Sequence, residues 1–198
     1  MTLFRLGLTG SIGMGKSTTA AFFRDAGLPV WDADEAVSRL YAPGGAAVGP
    51  LGTAFPKAVR NGQVDRSILK QAIANESAVL GWIEAIVHPL TAHDRAHFAA
   101  TAQGDIAVFD IPLLFEKGYQ SEMDATVLVT APPTLQKRRV MARPGMTGAL
   151  FVSLLARQMP DPEKRSLATH ILETLDLETT RMGVRALITY IRAGASDA

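Results

Sequence analysis

Residues 10–18, of sequence GSIGMGKST, constrain the fold of this chain more than any other stretch. They fit the pattern G-x-x-x-x-G-K-[ST] at every fixed position, and we call them the phosphate loop. The glycines let backbone N–H groups converge on phosphate oxygens, and Lys16 can reach the β- and γ-phosphates of a nucleotide. The hydroxyl of Ser17 can join the shell of a Mg²⁺ ion. The residues predicted to bind ATP are Gly13, Met14, Gly15, Lys16, Ser17 and Thr18.

The flanks of the phosphate loop agree with this interpretation. Residues 3–9 predict a mostly apolar strand, and residues 16–26 predict a helix in which Ala20, Phe22 and Phe23 are available to a core. A strand, a loop and a helix in this order are the context that the motif requires. A helix that begins at Lys16 would also aim the positive end of its dipole at the phosphates.

The composition excludes several classes of protein. With 198 residues, 47% of them hydrophobic and 20% charged, the chain is typical of one globular domain, which we expect to span residues 1–198. The net charge of +1 gives no general electrostatic attraction to nucleic acid, so we expect no nucleic-acid partner. The chain contains no cysteine, which excludes disulfides, thiolate metal sites and cysteine nucleophiles.

The N-terminal residues show no leader pattern, and no apolar run is long enough to cross a bilayer. We therefore expect a soluble cytoplasmic protein without a membrane partner. The sequence leaves the oligomeric state open.

Predicted strands alternate with predicted helices outside one central region. The fold class predicted from this alternation is α/β, with a parallel sheet flanked by helices. The central region has no convincing strand and predicts a helical insertion at about residues 35–103. Further strands are predicted at residues 28–31, 106–110, 125–130 and 170–172; helices are predicted at 35–41, 46–58, 67–75, 78–87, 90–103, 134–142, 148–159 and 177–191.

Carboxylates follow two of the predicted strands, at the sheet edge where α/β proteins bind ligands. Asp110 ends an apolar run in the position where a carboxylate orients the Mg²⁺ shell. Asp32 and Asp34 follow the second strand, and either could orient an acceptor hydroxyl and remove its proton. We expect Asp34 to lie near the N-cap of the following helix.

Two further residues stand at breaks in the pattern. Arg143 opens a pair of helices bounded by Pro and Gly, at about residues 143–162, which we call the lid segment. This segment could close over ATP and bring the arginine to the transferring phosphoryl group. His88 precedes Pro89 and is predicted to end a helix, where it would be a charge partner of the helix terminus or a core residue and not a general base.

At this point the sequence resembles one family, the dephospho-coenzyme A kinases. The phosphate loop with its preceding Leu-Thr, and the segment GLPVWDAD at residues 27–34, are similar to the opening of that family. The resemblance continues in VDR at 64–66, IVHPL at 86–90 and DIPLLFE at 110–116, and in the lid-like pattern from Gln136 to Gln158. It covers about residues 6–168.

The resemblance implies a P-loop NTPase fold of the nucleoside-kinase type, with a helical substrate-binding insertion and a small helical lid. It implies transfer of the ATP γ-phosphate to the ribose 3′-hydroxyl of dephospho-coenzyme A, with Mg²⁺ as cofactor. In this assignment Asp34, Lys16 and Arg143 are catalytic, and Ser17 and Asp110 hold the metal. The acceptor-binding residues would be Asp32, Asp65, Arg66, His88, Pro112, Leu113, Glu116 and Arg139.

One position departs from the family. Thr169 stands where the family usually has Asp, which puts the hydrogen bonding of this position in question. Two alternatives to the specific kinase remain open. One is another P-loop kinase that acts on a nucleotide or small metabolite, and the other is a non-catalytic ATP-binding switch. A GTPase switch is disfavoured because no Asn-Lys-x-Asp signature occurs in the chain.

Overall fold

The computed structural model describes residues 3–196 and contains a five-stranded and a two-stranded sheet. The strands are β1 (Phe4–Thr9), β2 (Val30–Asp32), β3 (Val59–Arg60), β4 (Gln63–Val64), β5 (Ile106–Asp110), β6 (Ala125–Thr130) and β7 (His170–Glu173). The helices are α1 (Lys16–Asp25), α2 (Ala33–Tyr41), α3 (Val48–Ala54), α4 (Arg66–Asn75), α5 (Ala78–Thr101), α6 (Pro133–Met141), α7 (Gly148–Leu155), α8 (Asp161–Leu167) and α9 (Leu177–Ser196).

The large sheet has the strand order β2-β5-β1-β6-β7, so β1 with its following loop lies at the centre. β1 pairs in parallel with β5 and with β6, and β6 pairs in parallel with β7. Every residue of β5 and of β6 is buried, which is typical of a parallel sheet covered on both faces. The α/β fold class predicted from the alternation is confirmed, and so are the predicted bounds of β5 and β6.

The chain divides into two compact units. The sheet unit comprises the chain up to Val30 and from Ala102 onward, and the helical unit comprises Trp31–Thr101. In the sheet unit, Phe23 of α1 packs with sheet residues such as Leu6 and Val127, and α9 adds Val184 and Ile188 to the same core. The predicted core residues Ala20, Phe22 and Phe23 are all buried.

The helical unit has its own hydrophobic core. Leu51 of α3, Leu69 of α4 and Ile83 of α5 meet in it, together with Leu40 of α2. Val64 of β4 also belongs to this core.

The expectation that this region contains no strand was wrong. β3 and β4 form an antiparallel hairpin in which Val59 pairs with Val64 and Arg60 with Gln63. Asn61 and Gly62 both have positive φ, at 51° and 74°, which is the geometry of a two-residue type I′ turn. Asn-Gly is the strongest sequence signal for such a turn, and it was available at this position. The helix expected at residues 46–58 accordingly ends early, at Ala54.

A second correction concerns Pro89. We expected one helix to end at His88 and another to begin at Leu90, but α5 runs without a break from Ala78 to Thr101 and contains Pro89. A proline in a helix interior costs roughly 3 kcal/mol because it removes a backbone donor and crowds the preceding turn. Ile83 and Val87 before the proline and Arg95 after it are buried, so packing along the helix offsets this cost.

The lid segment also differs from its prediction. The helix expected at residues 148–159 ends at Leu155, and a further helix, α8, begins at Asp161. Pro162 in the first turn of α8 is compatible with a helix start, because the first N–H groups of a helix need no partner within it. Among residues 3–196, no helix combines the length and apolarity needed to cross a membrane.

Candidate active site

The phosphate loop has the backbone geometry that its glycines predict. Gly13 and Gly15 have φ values of 79° and 89°, in the left-handed region that favours glycine. A Cβ atom on Gly13 would lie 2.4 Å from Cγ2 of Val140, and one on Gly15 would lie 2.9 Å from Oγ1 of Thr174. Both positions therefore require glycine for two independent reasons, conformation and space.

The N-terminus of α1 is open to an anion. Its N-cap is Gly15, so no side chain caps the helix, and the first turn contains no acidic residue. The leading N–H groups of a helix need acceptors, and its dipole favours negative charge at this end. Ser17 and Thr18 in this first turn are exposed. This end of α1 therefore offers a binding site for phosphate oxygens.

Side chains from elsewhere in the sheet unit brace the loop. The backbone N–H of Ile12 donates to Oε1 of Gln158 at 3.0 Å, and its carbonyl accepts from Nε2 of Gln136 at 2.9 Å. The Thr174 hydroxyl donates to the carbonyl of Met14 at 2.8 Å. The loop is thus held by α6, by the end of the lid segment and by the residue after β7. The contact of Thr174 with the phosphate loop was not predicted, because no local sequence motif surrounds this residue.

Lys16 and Asp110 form an ion pair at the carboxyl end of the central strands. Lys16 Nζ lies 2.5 Å from Asp110 Oδ1, and the Asp110 side chain is fully buried. The register pairs Leu8 of β1 with Asp110 of β5, which places this carboxylate beside the strand that leads into the loop. The structure therefore brings together two predicted site residues that are 94 positions apart in sequence.

Arg139 and Arg143 lie on the side of the phosphate loop that faces the segment after β7. Together with Gly13, Gly15 and Thr18 they line a cavity of about 290 Å³. The guanidinium of Arg139 donates to Oγ1 and to the carbonyl oxygen of Thr174, at 3.0 and 2.6 Å. Arg143 is exposed at the border of this cavity. Arg139 thus lies beside the phosphate loop, and its contact with the acceptor stays a prediction.

A second, mostly apolar cavity of about 460 Å³ lies between the loop and the lid segment. Ser11 and Met14 of the loop line it on one side, and Val152, Leu155 and Met159 of the lid segment line it on the other. The lid segment therefore faces the phosphate loop across this cavity.

The segment after β5 carries three of the predicted acceptor-binding residues. Pro112 and Leu113 are partly exposed, and the carbonyl of Pro112 accepts from the Thr9 hydroxyl at 3.2 Å. Glu116 Oε1 accepts from the backbone N–H of Met159 at 2.9 Å and lies 2.8 Å from Nζ of Lys164. The carboxylate of Glu116 therefore contacts the end of the lid segment at Met159 and the helix α8 at Lys164.

In the helical unit, the two candidate carboxylates differ in their surroundings. Asp32, and not Asp34 as we had expected, is the N-cap of α2: its Oδ1 accepts from the backbone N–H groups of Asp34 and Glu35 at 2.8 and 3.0 Å. Asp32 acts as the N-cap because its backbone is extended, as a capping residue requires, whereas Asp34 already lies in the first turn of the helix. Within residues 31–101 the Asp34 carboxylate makes no hydrogen bond or ion pair.

Arg66 lies against α2. Its guanidinium donates to Oγ of Ser38 at 2.9 Å and stacks 5.3 Å from the Tyr41 ring centroid. Ser38 in turn donates to the carbonyl of Asp34 at 2.7 Å. The structure thus connects Arg66 to the helix that bears Asp34.

Asp65 and His88 are placed differently. Asp65 caps α4, which starts one residue before the predicted position, by accepting from the Ser67 N–H at 2.9 Å. Hydrogen bonds from the Ser67 hydroxyl and backbone lower the pKa of Asp65. His88 lies within α5, is exposed, and has Nε2 3.9 Å from Oε1 of Glu84, one turn earlier. It is therefore neither a helix terminus nor a core residue.

Comparison with known proteins decides among the open alternatives. The sequence model of the dephospho-CoA kinase family matches residues 4–177. The chain belongs to the dephospho-CoA kinase family. A dephospho-CoA kinase from Cereibacter sphaeroides is 62% identical over 195 residues, which is 98% of this chain and 99% of that protein. The resemblance read from the sequence motifs is confirmed.

Solved structures agree with this family. The crystal structure of TT1252 from Thermus thermophilus is similar with a TM-score of 0.83 and 35% identity, covering 96% of this chain and 98% of that one. The dephospho-CoA kinase from Campylobacter jejuni is similar with a TM-score of 0.72 over the same shares, and its 21% identity supports the fold alone. The predicted P-loop kinase fold is therefore confirmed.

Thr169, the position at which the sequence departs from the expected pattern, makes two hydrogen bonds. Its hydroxyl accepts from the Thr126 N–H at 3.1 Å, and its own N–H donates to the Thr126 hydroxyl at 3.0 Å. Thr169 directly precedes β7, so it lies at the amino ends of the parallel strands, whereas the phosphate loop follows a carboxyl end. Thr169 therefore links β6 to the start of β7, at the opposite strand ends from the phosphate loop.

Proposed function

We propose that this protein transfers the γ-phosphate of ATP to the ribose 3′-hydroxyl of 3′-dephospho-CoA, giving CoA and ADP, the last step of CoA biosynthesis. The observation that carries the proposal is the placement of Lys16 at the uncapped N-terminus of α1, paired with the buried Asp110. Phosphoryl transfer needs positioning and charge neutralisation more than covalent help, and this arrangement supplies both for the donor.

In this proposal the phosphate loop holds the donor. The N–H groups around Gly13 and Gly15 receive the phosphate oxygens, and Lys16 neutralises charge on the β- and γ-phosphates. Gly13, Gly15, Thr18, Arg139 and Arg143 surround the adjoining cavity, whose place beside the loop supports binding of the rest of the nucleotide there. Arg143, exposed at the start of the lid segment, is the cation that lid closure would bring to the migrating phosphoryl group.

Mg²⁺ is the cofactor that the residues at the loop fit. Ser17 offers an exposed hydroxyl and Asp110 a carboxylate, and both are the oxygen ligands that Mg²⁺ prefers. The ion would neutralise phosphate charge during transfer. Lys16 pairs with Asp110 through Oδ1, so the carboxylate is already oriented at the end of β5.

Asp34 is the residue that we propose to remove the proton from the acceptor hydroxyl. Oδ1 of Asp32 accepts from two backbone N–H groups, whereas within residues 31–101 no hydrogen bond or ion pair engages the Asp34 carboxylate. A base needs a free lone pair directed at its proton, and Asp32 uses one of its two oxygens as a cap while Asp34 keeps both, so this difference favours Asp34 over Asp32. The residues that stay proposed to bind or shape the acceptor site are Asp32, Asp65, Arg66, His88, Pro112, Leu113, Glu116 and Arg139.

The proposal also covers the domain organisation of the chain and its location in the cell. The helical insertion at about residues 35–103 would hold the acceptor within a single kinase domain of residues 1–198, and the lid segment would exclude water during transfer. We place the reaction in the cytoplasm, and the absence of cysteine supports this location.

The test is a coupled assay of ADP release with ATP, Mg²⁺ and a panel of acceptors: dephospho-CoA, adenosine, AMP and 4′-phosphopantetheine. We expect turnover with dephospho-CoA alone, and a CoA product phosphorylated at the 3′ position by mass spectrometry and NMR. Efficient turnover of another acceptor, with none of dephospho-CoA, would overturn the assignment. Lys16→Ala is expected to lower kcat by at least about 10²-fold, because a charge aimed at the transferring group is lost.

A further inference from the structure

One carboxylate of the helical unit holds both ends of the helix that carries Asp34. Oδ1 of Asp94, on α5, accepts from the indole Nε1 of Trp31 at 2.7 Å and from the guanidinium of Arg39 at 2.7 Å. Trp31 is two residues before the start of α2, and Arg39 lies in its last turn. The same oxygen atom therefore ties the entry and the exit of α2 to α5.

The contact at the entry reaches Asp34 through a short chain of bonds. Trp31 is fixed by its buried ring and by the Asp94 hydrogen bond, and it directly precedes Asp32. Asp32 caps α2 by accepting from the N–H of Asp34 itself. Rotation of the Trp31 side chain or a shift of its backbone would thus move the cap and the residue that the cap holds.

The charge of Asp94 suits this task. Burial raises the pKa of Asp94, but hydrogen bonds from Trp31 and Arg39 outweigh this effect and lower it overall, so the group is ionised at neutral pH. Hydrogen bonds to an ionised acceptor are shorter and stronger than neutral ones. The guanidinium of Arg95 lies 5.9 Å from the Trp31 ring centroid and is buried, which restricts the ring further.

We propose that Asp94 is a positioning residue of the kinase, which holds α2 so that the Asp34 carboxylate is aligned with the acceptor hydroxyl. This inference rests on the proposed role of Asp34. Asp94 acts through Trp31 and Arg39, and proton removal is sensitive to its geometry: a displacement of about 1 Å at a reacting group can cost about 10²-fold in rate.

The experiment is a double-mutant cycle on kcat. We expect Asp94→Asn to lower kcat about 10-fold, because the amide keeps one acceptor but loses the charge that binds Arg39. In an Asp34→Asn background, where no base remains to be aligned, the same change should lower kcat less than 2-fold. KM for ATP should stay within 2-fold throughout, because the phosphate loop belongs to the sheet unit.

Two further variants separate positioning from folding. Trp31→Phe keeps a buried ring and removes the donor, so it should reproduce part of the loss, and combining it with Asp94→Asn should add little. Asp105→Asn is the matched control: it breaks an ion pair with Arg192 of 2.6 Å in the sheet unit and should leave kcat unchanged. Thermal unfolding reports the stability of every variant.

The outcomes are distinguishable. A 10-fold loss that depends on Asp34 supports the inference. An equal loss in both backgrounds, or a loss confined to KM for ATP, overturns it and leaves the proposed function intact. An unchanged kcat in Asp34→Asn alone refutes the role of Asp34, and with it both the proposed base and this inference.

Discussion

Nζ of Lys164 lies 2.8 Å from Oε1 of Glu116, and the lysine side chain is fully buried. Glu116 belongs to the segment after β5, and Lys164 belongs to α8, directly after the lid segment. The same carboxylate oxygen accepts from the Met159 N–H. Within residues 3–196, Oε2 of Glu116 has no hydrogen-bond partner, so the carboxylate depends on Lys164 for its charge balance.

The first prediction follows from this dependence. Lys164→Met should lower the free energy of unfolding by about 3 kcal/mol, because it leaves a partly buried carboxylate without a counter-charge. Lys164→Met combined with Glu116→Gln should cost less than the single lysine change, since no charge is stranded. Urea unfolding measures both, and Arg192→Met, which breaks an exposed ion pair, should cost no more than about 1 kcal/mol. A double variant less stable than Lys164→Met would contradict this account.

The second prediction concerns Gly15. Gly15→Ala should abolish measurable ATP binding by titration calorimetry, because the new Cβ would lie 2.9 Å from Thr174 Oγ1 and the residue must keep φ near 89°. Gly27→Ala is the matched control, with φ of 82° and no atom within 4 Å of the added Cβ. It should cost about 1 kcal/mol of stability from backbone strain alone and leave ATP binding intact. Equal loss of ATP binding in both variants would show that steric contact with Thr174 is irrelevant.

The third prediction separates Asp34 from Asp32. Asp34→Asn should lower kcat by roughly 10²–10⁴-fold with little change in stability, as expected for a general base. Asp32→Ala should lower the free energy of unfolding by about 1 kcal/mol, because α2 loses its cap. Rate measurements and thermal unfolding on the same preparations distinguish the two. If Asp32→Asn harms kcat more than Asp34→Asn does, the two roles are reversed.

The fourth prediction uses His170, which packs edge-on against Tyr190 with ring centroids 5.6 Å apart. Burial lowers the pKa of His170 below its usual value near 6.5. The unfolded chain then binds this proton more readily than the folded chain, so stability should fall as the pH drops below about 6.5 and level off below the folded pKa. His170→Gln should flatten this part of the curve. Parallel curves for the parent and His170→Gln would refute the assignment.

The sequence predicted the strands of the large sheet better than the helical unit. β5 and β6 are continuous buried runs between polar turns, and their bounds follow from that pattern alone. The helices of the smaller unit depend on packing against one another, which sequence periodicity does not report. The unbroken course of α5 through Pro89 is an example, because contacts on both sides of the proline decide it.

The site was predictable where a motif carries its own geometry. Gly13 and Gly15 have the backbone geometry that the pattern requires, and Asp110 ends a buried strand as predicted, but its ion pair with Lys16 was not predicted. The capping of α2 by Asp32 and not by Asp34 was not predictable, because two carboxylates two residues apart compete for one capping position. The hydrogen bonds from Gln136 and Thr174 to the phosphate loop join residues far apart in the sequence, and no local sequence motif predicts them.

The hydrogen bond from Ile12 to Gln158 makes a single amide proton a reporter of the lid. That proton can exchange with deuterium only when Oε1 of Gln158 moves away, whereas the Ile12 carbonyl is held separately by Gln136. The exchange rate at Ile12 therefore measures how often the end of the lid segment leaves the phosphate loop, without any label added to the protein. The exchange rate of this amide, measured in the presence and absence of nucleotide, would report how nucleotide changes the frequency of lid opening.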